Sequence, residues 1–332
     1  MNKESELSYK PPFEITAKAI NLISEISEKI GIITALSDNP FHVELRKKNR
    51  IQTIHSSLAI EQNTLSIEQI TAIIEGRRVL GAPNEIQEVK NAVQAYDLLL
   101  ELNPYEAKDL LKAHELMMND LVERNGKYRS GSVGIFDGGD VVHVAPPADR
   151  VPFLMDDLFA WLKNSGEHPL IKSCVFHYEF EFIHPFQDGN GRMGRFWQSV
   201  ILKEWKPVFA WIPVETLVKE HQAEYYAALA SSDKNSDSTA FIDFMLEIIS
   251  QEIDKLIENQ NGVTVKVTAK VTANQQKILS EIKENPFITQ SELSKKIGIA
   301  EKNIKANMKK MQEQGLIRRV GADKNGYWET SK

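Results

Sequence analysis

Residues 184–195 read His-Pro-Phe-Gln-Asp-Gly-Asn-Gly-Arg-Met-Gly-Arg, and no other stretch restricts the fold as much. Pro185 disfavours a helix running through it. Gly189 and Gly191 flank Asn190, so the backbone can bend tightly and expose consecutive N–H groups. A helical spacing of apolar residues follows, through Phe196, Val200, Ile201 and Leu202. The chain must therefore set the N-terminus of a helix directly behind a sharp loop, which is a cradle for phosphate. Arg192 and Arg195 lie one turn apart and can reach the same anion with charge-assisted bonds. Asp188 is a hard oxygen ligand placed for Mg²⁺, the ion that travels with nucleotide phosphates. His184 is the one group of the stretch that titrates near neutrality, and so a candidate general base. Base, metal ligand, anion nest and two arginines together point to phosphoryl or nucleotidyl transfer. Gly189-x-Gly191-x-x-Gly194 also fits the dinucleotide fingerprint. That motif needs an apolar strand running into its first glycine, and here His-Pro-Phe-Gln-Asp intervenes without βαβ alternation.

The rest of the chain reads as mainly α. Apolar residues at three- and four-residue steps predict helices over 15–33, 51–60, 66–75, 85–102, 107–122, 151–162 and from Pro169 onward. Ser66, three residues before Gln69, forms a capping box. Between them, 132–144 places Val133, Ile135, Val141 and Val142 around Phe136-Asp137-Gly138-Gly139-Asp140, a β-hairpin pattern. Residues 259–272 read either as a linker or as a short exposed strand. Beyond them come three helical patterns, the second ended by Gly298, then two short strands flanking 323–326: a winged helix-turn-helix. The expected division is 1–105, 106–258, a linker at 259–272, and 273–332.

Charge supports two units with different partners. The chain carries a net −6, yet residues 262–332 hold 14 basic and 7 acidic side chains. Lys302, Lys305, Lys309 and Lys310 on the third helix, with Arg318 and Arg319 on the wing, suit phosphates. The same module serves elsewhere for protein docking, so both readings stand. One cysteine, Cys174, excludes a disulfide scaffold and a Cys-rich zinc site and suits a reducing compartment. The N-terminus lacks the apolar core of a signal peptide, and no stretch approaches the ~20 apolar residues of a membrane span. A cytoplasmic protein is expected. His114 lacks a second histidine four residues on, which argues against a zincin site. His177 reads as a packed residue supporting the loop, and Cys174 as core.

The twelve residues match the signature of the Fic family, His-x-Phe-x-Asp/Glu-Gly-Asn-Gly-Arg-x-x-Arg, at every specified position. The resemblance runs from about residue 10 to residue 255. It implies a Fic-type helical bundle with one hairpin flap, and transfer of AMP from ATP, with Mg²⁺, to a hydroxyl of a target protein or of the chain itself. On that likeness His184 takes the hydroxyl proton and Asp188 holds Mg²⁺. Gly189, Asn190 and Gly191 stabilise the α-phosphate, with Gly194 in the same ATP-binding stretch. Arg192 and Arg195 hold the β- and γ-phosphates. Gly134, Ile135 and Phe136 belong to the flap that pairs with a target segment. Tyr225 and Tyr226 match the pair near the nucleotide base, while periodicity alone fits core aromatics equally well. Ser57-Leu58-Ala59-Ile60-Glu61 resembles the family's inhibitory motif. Glu61 would then pair with Arg195 and obstruct the γ-phosphate. Gln62 stands where that motif has Gly or Asn. A homodimer, and DNA as a partner of the basic tail, complete the expectations. The rival functions are AMP removal, with Glu61 aligning a water, and a nucleotide-sensing DNA-binding regulator.

Overall fold

The structure, a computed structural model, describes residues 9–36, 41–137, 140–270, 272–313, 316–320 and 326–330. The chain is mostly helical, with two two-stranded antiparallel sheets among the described residues. Contacts divide it into two units, with the boundary after Asp254.

In chain order the elements before that boundary are α1 (Ala17–Leu36), α2 (Phe41–Ile60), α3 (Ile67–Ile74), α4 (Pro83–Leu98) and α5 (Ala107–Met117). Then come β1 (Gly134–Asp137), β2 (Asp140–Val144), α6 (Val151–Asn164), α7 (Pro169–Ile183), α8 (Asn190–Trp205), α9 (Val214–Glu220) and α10 (Gln222–Asn235), and α11 (Thr239–Lys270) begins before the boundary and runs past it. Helix α7 lies at the centre. Pro169 occupies its first turn, where the missing N–H costs nothing, and His168 Nδ1 caps it by accepting from Leu170 N. Most of its residues are buried, His177, Glu179 and Glu181 among them, while Phe182 is exposed. Phe176, Phe180, Phe186, Phe196 and Trp197 are fully buried across α7, the following loop and α8. Each such ring stabilises the fold by about 1.5–3 kcal/mol. That packing holds the loop between two rigid helices.

The Ser66 capping box is present, with Ser66 Oγ accepting from Gln69 N. The hairpin forms with a bulge between Ile135 and Phe136, and Gly134 pairs with Val144. Its tip, Gly138 and Gly139, lies outside the described residues. Three segments differ most from the sequence reading. Helix α2 starts at Phe41 rather than Ile51, because the polar run before Ile51 carries little apolar periodicity yet holds good helix formers. Helix α5 stops at Met117, and Asp120 then takes a φ of 59°, a conformation Asp tolerates better than most residues. Residues 259–270 continue α11, which satisfies backbone groups that a lone strand would leave unpaired.

In the second unit α12 (Ala273–Glu284) and α13 (Gln290–Ile297) both start with capping boxes, from Thr272 with Gln275 and Thr289 with Glu292. Gly298 ends α13 at φ 76°. Helix α14 (Glu301–Glu313) follows, then β3 (Ile317–Val320) pairs with β4 (Tyr327–Thr330). Ile278, Ile282, Leu293, Ile304, Met308, Met311 and Trp328 form the core. This is the winged helix-turn-helix expected from sequence. Residues 323–325 of its turn lie outside the described residues.

Candidate active site

His184 closes α7 in a left-handed conformation, φ 49° and ψ 61°. That costs a side-chain-bearing residue about 1–2 kcal/mol, and the fold holds it from both sides. The His184 N–H donates to Phe180 O at 2.9 Å, and the His184 carbonyl accepts from Arg129 Nε at 2.8 Å. Ring atom Nδ1 stands 3.4 Å from Glu181 O. A carbonyl there favours the proton on Nδ1 and leaves the lone pair on Nε2.

Arg129 is a residue that sequence reasoning missed. It is 5% exposed, and its guanidinium donates to four carbonyls: His184, Ile183, Gly131 and Pro146. Its N–H also donates to Pro185 O at 2.9 Å. One side chain thus ties the loop after α7 to the segments entering and leaving the hairpin. Arg129→Met is expected to lower unfolding stability by roughly 3 kcal/mol, since buried acceptors lose a charged donor. Urea denaturation of native and variant chains measures this. An unchanged midpoint would show that the carbonyls find other donors.

His114, read from sequence only as a failed zinc motif, is the second such residue. Its Nδ1 accepts from Gly126 N at 2.8 Å, so Nε2 carries the proton and donates to Asp188 O at 3.0 Å. The ring stacks on Phe186 at 3.6 Å, and burial holds its pKa down to about 4, so it stays neutral. The Asn190 side chain closes the loop with two bonds to Phe186, accepting from N at 2.8 Å and donating to O at 2.9 Å. What Asn190 can still offer an anion is its backbone N–H at the start of α8.

Gly189 caps α8 at φ 81°, where L side chains are strained. Asp188 beside it has a 57% exposed side chain, whose Oδ1 accepts from Gly189 N at 2.6 Å and from Arg192 Nη2 at 3.3 Å. Arg192 is 4% exposed, reaches Glu88 Oε1 at 3.4 Å, and has its Nε buried with no partner. Arg195, also 4% exposed, donates to Glu61 Oε1 at 2.8 Å, to Ser57 O at 3.1 Å and to Ser57 Oγ at 3.4 Å. Glu61 sits just past the C-terminus of α2. Its Oε1 would lie 2.6 Å from a Cβ at Gly191, so a larger residue there would push the carboxylate aside. A carboxylate therefore occupies the N-terminal end of α8, a position that favours anions. Gly194 faces Glu181 and His177.

Tyr225 is 1% exposed and lies 3.1 Å through its hydroxyl from His177 Nε2, while His177 Nδ1 bonds Gln198 Oε1 at 2.9 Å. Burial holds His177 down to about 3. Tyr225 is buried, and its neighbour Tyr226 is 49% exposed. Gly134, Ile135 and Phe136 lie on β1, and the side chains of 135 and 136 are outside the described residues. Cys174 is buried, and burial pushes its thiol up to about 12. Glu215, not singled out by sequence, is buried near Arg195 with Tyr96 donating to its Oε1 at 3.0 Å; burial pushes its carboxyl up to about 7.

A Fic/DOC family model matches residues 104–202, and a winged helix-turn-helix DNA-binding model matches 272–318. A solved structure of a Fic family protein from Desulfovibrio desulfuricans G20 is 43% identical, covers 97% of this chain and 98% of its own, and superposes with a TM-score of 0.73. This chain belongs to the Fic/DOC family. Among curated Fic relatives, the protein adenylyltransferase Fic of Aedes aegypti is 28% identical over 242 residues, 69% of this chain and 46% of the relative. That of Drosophila virilis is 25% identical over 294 residues, 83% of this chain and 58% of the relative. The chain spans about half the length of the curated Fic relatives it matches. The Fic match takes in the hairpin and 184–195, whereas Ser57, Glu61, Tyr225 and Tyr226 lie outside it.

Proposed function

We propose that this chain transfers AMP from ATP to a hydroxyl side chain of a target protein, itself included, with Glu61 as a brake. The observation that carries the reading is the Glu61 carboxylate seated between Arg195 and Gly191, an internal anion where phosphate oxygens would bind. The target hydroxyl loses its proton to His184 Nε2 as its oxygen attacks the α-phosphorus. The bond from that phosphorus to the bridging oxygen breaks, and pyrophosphate leaves. Backbone N–H groups at the start of α8 meet the charge that develops on the α-phosphate. Arg192 and Arg195 hold the departing phosphates. The single exposed carboxylate of Asp188 suits Mg²⁺, which takes waters and phosphate oxygens as its other ligands. When bound, the ion neutralises charge on the phosphates. Among the described residues no cluster of three ligands offers a metal site of another kind.

Transfer is tested by incubating the Glu61→Gly chain, alone and with cell lysate, with Mg²⁺ and ATP labelled at either the α- or the γ-phosphorus. The α-label is expected to enter protein and the γ-label to stay out. Incorporation of the γ-label would make the reaction a phosphorylation. No incorporation of either would favour AMP removal or another donor.

A second reading concerns the winged helix. Lys302, Lys305, Lys309 and Lys310 are all exposed on α14, which supports contact with nucleic-acid phosphates. Arg318, by contrast, is paired with Glu329 at 2.6 Å, and Arg319 lies over Trp328. Duplex DNA binding by the full chain is expected to weaken with salt, each phosphate contact adding about −0.9 to the log–log slope. Lys302→Glu with Lys305→Glu should reduce both affinity and slope in a titration followed by fluorescence anisotropy. Unchanged binding would assign the module to protein docking.

A further inference from the structure

Away from the loop that carries His184, a cleft of ≈ 580 Å³ opens among α2, α3, α4 and the segment ending at Trp211. That is the volume of an ordinary small-molecule site, about 300–1,000 Å³. Its lining is of two kinds. Ile51, Val93 and Leu99 make it apolar, while Arg46, Lys47, Arg50 and one carboxylate, Asp97, supply its charge. The three cations are not equivalent. Arg50 is spent, with Nη1 2.7 Å from Asp97 Oδ1 and Nη2 donating to Val93 O at 2.9 Å. Lys47 has a distant partner, Glu75 at 3.8 Å. Arg46 lies over the Trp211 ring at 4.2 Å and has no carboxylate partner among the described residues. A guanidinium held against an aromatic ring has its position set and still offers N–H donors to an acceptor. The support is itself fixed, because buried Asn49 donates from Nδ2 to Trp211 O at 3.2 Å.

We propose that this cleft binds a small organic anion: a carboxylate or phosphate head taken by Arg46 with Lys47 beside it, on an apolar body lying against Ile51, Val93 and Leu99. The charge decides the head, since with Asp97 set against Arg50 and Glu75 against Lys47 the cleft still carries the positive charge of Arg46. The apolar floor decides the body, since a small hydrophilic anion would leave that surface in water. The site stands independently of the AMP-transfer reading, as none of these residues belongs to that machinery.

The test is calorimetric titration of the full chain with decanoate and, separately, decyl phosphate, the two arms separating the head groups. Decyltrimethylammonium serves as the charge-reversed control. At least one of the two anions is expected to bind at one site, the cation is not, and saturating ATP with Mg²⁺ should leave the affinity unchanged. Arg46→Glu should weaken binding by about tenfold or more. Ile74→Trp, which fills the cleft without altering its charge, should do the same. Thermal melts of both variants check that they fold. Absence of binding by both anions, equal binding of the cation, or undiminished affinity in a folded variant would overturn the proposal.

Discussion

In the Glu61→Gly background, replacing His184 with Asn is expected to cut incorporation of α-labelled AMP by about 10²–10⁴-fold, the usual worth of a positioned general base. Asn is the informative replacement. His184 sits at φ 49°, a conformation Asn accepts and Ala resists, so the variant should keep the loop. The backbone ties to Phe180 and Arg129 do not involve the ring and survive the change. Nucleotide binding should therefore persist while transfer is lost, which equilibrium binding of ATP can confirm alongside the label. An Asn variant that still transfers AMP would remove His184 from the chemistry.

The second large effect runs in the opposite direction. Glu61→Gly is expected to raise self-labelling by roughly 10- to 100-fold over the native chain. The magnitude follows from one charge-assisted bond in a partly buried setting, worth about 1.5–3 kcal/mol, with each 1.4 kcal/mol giving about tenfold. The Glu61 side chain is 30% exposed and that of Arg195 3%, so the bond is shielded from water mainly on the arginine side. Arg195 should hold its place without Glu61, because Ser57 accepts from it through both Oγ and its carbonyl. Glu61→Gln, which keeps the shape and loses the charge, should fall between. Equal labelling of native and Glu61→Gly chains would leave the pair as structure without a regulatory role. Labelling that drops in Glu61→Gly would mean the carboxylate assists the reaction.

How much of this was legible beforehand varies by residue. The capping box at Ser66 and the Gly298 stop are local: each needs only a few neighbours along the chain, and each stands in the structure as read. The α2 start was illegible because a helix can extend through polar residues without apolar periodicity. The Ser57–Arg195 and Glu61–Arg195 contacts span more than a hundred residues, and only resemblance suggested the second of them. Arg129 and His114 were missed for a related reason. A buried arginine bonded to carbonyls leaves no charge pattern, since any residue's carbonyl can serve.

Sequence alone determined the helical class, the hairpin, the winged tail and the order of groups along residues 184–195, because those depend on local propensity, spacing and turn chemistry. Tertiary structure decided which of two neighbouring tyrosines is buried, which cations are already paired, and which carboxylate faces the N-terminus of α8. Those outcomes depend on desolvation and on donors and acceptors brought together from distant segments, and a side chain's identity does not carry that information until the chain has packed around it.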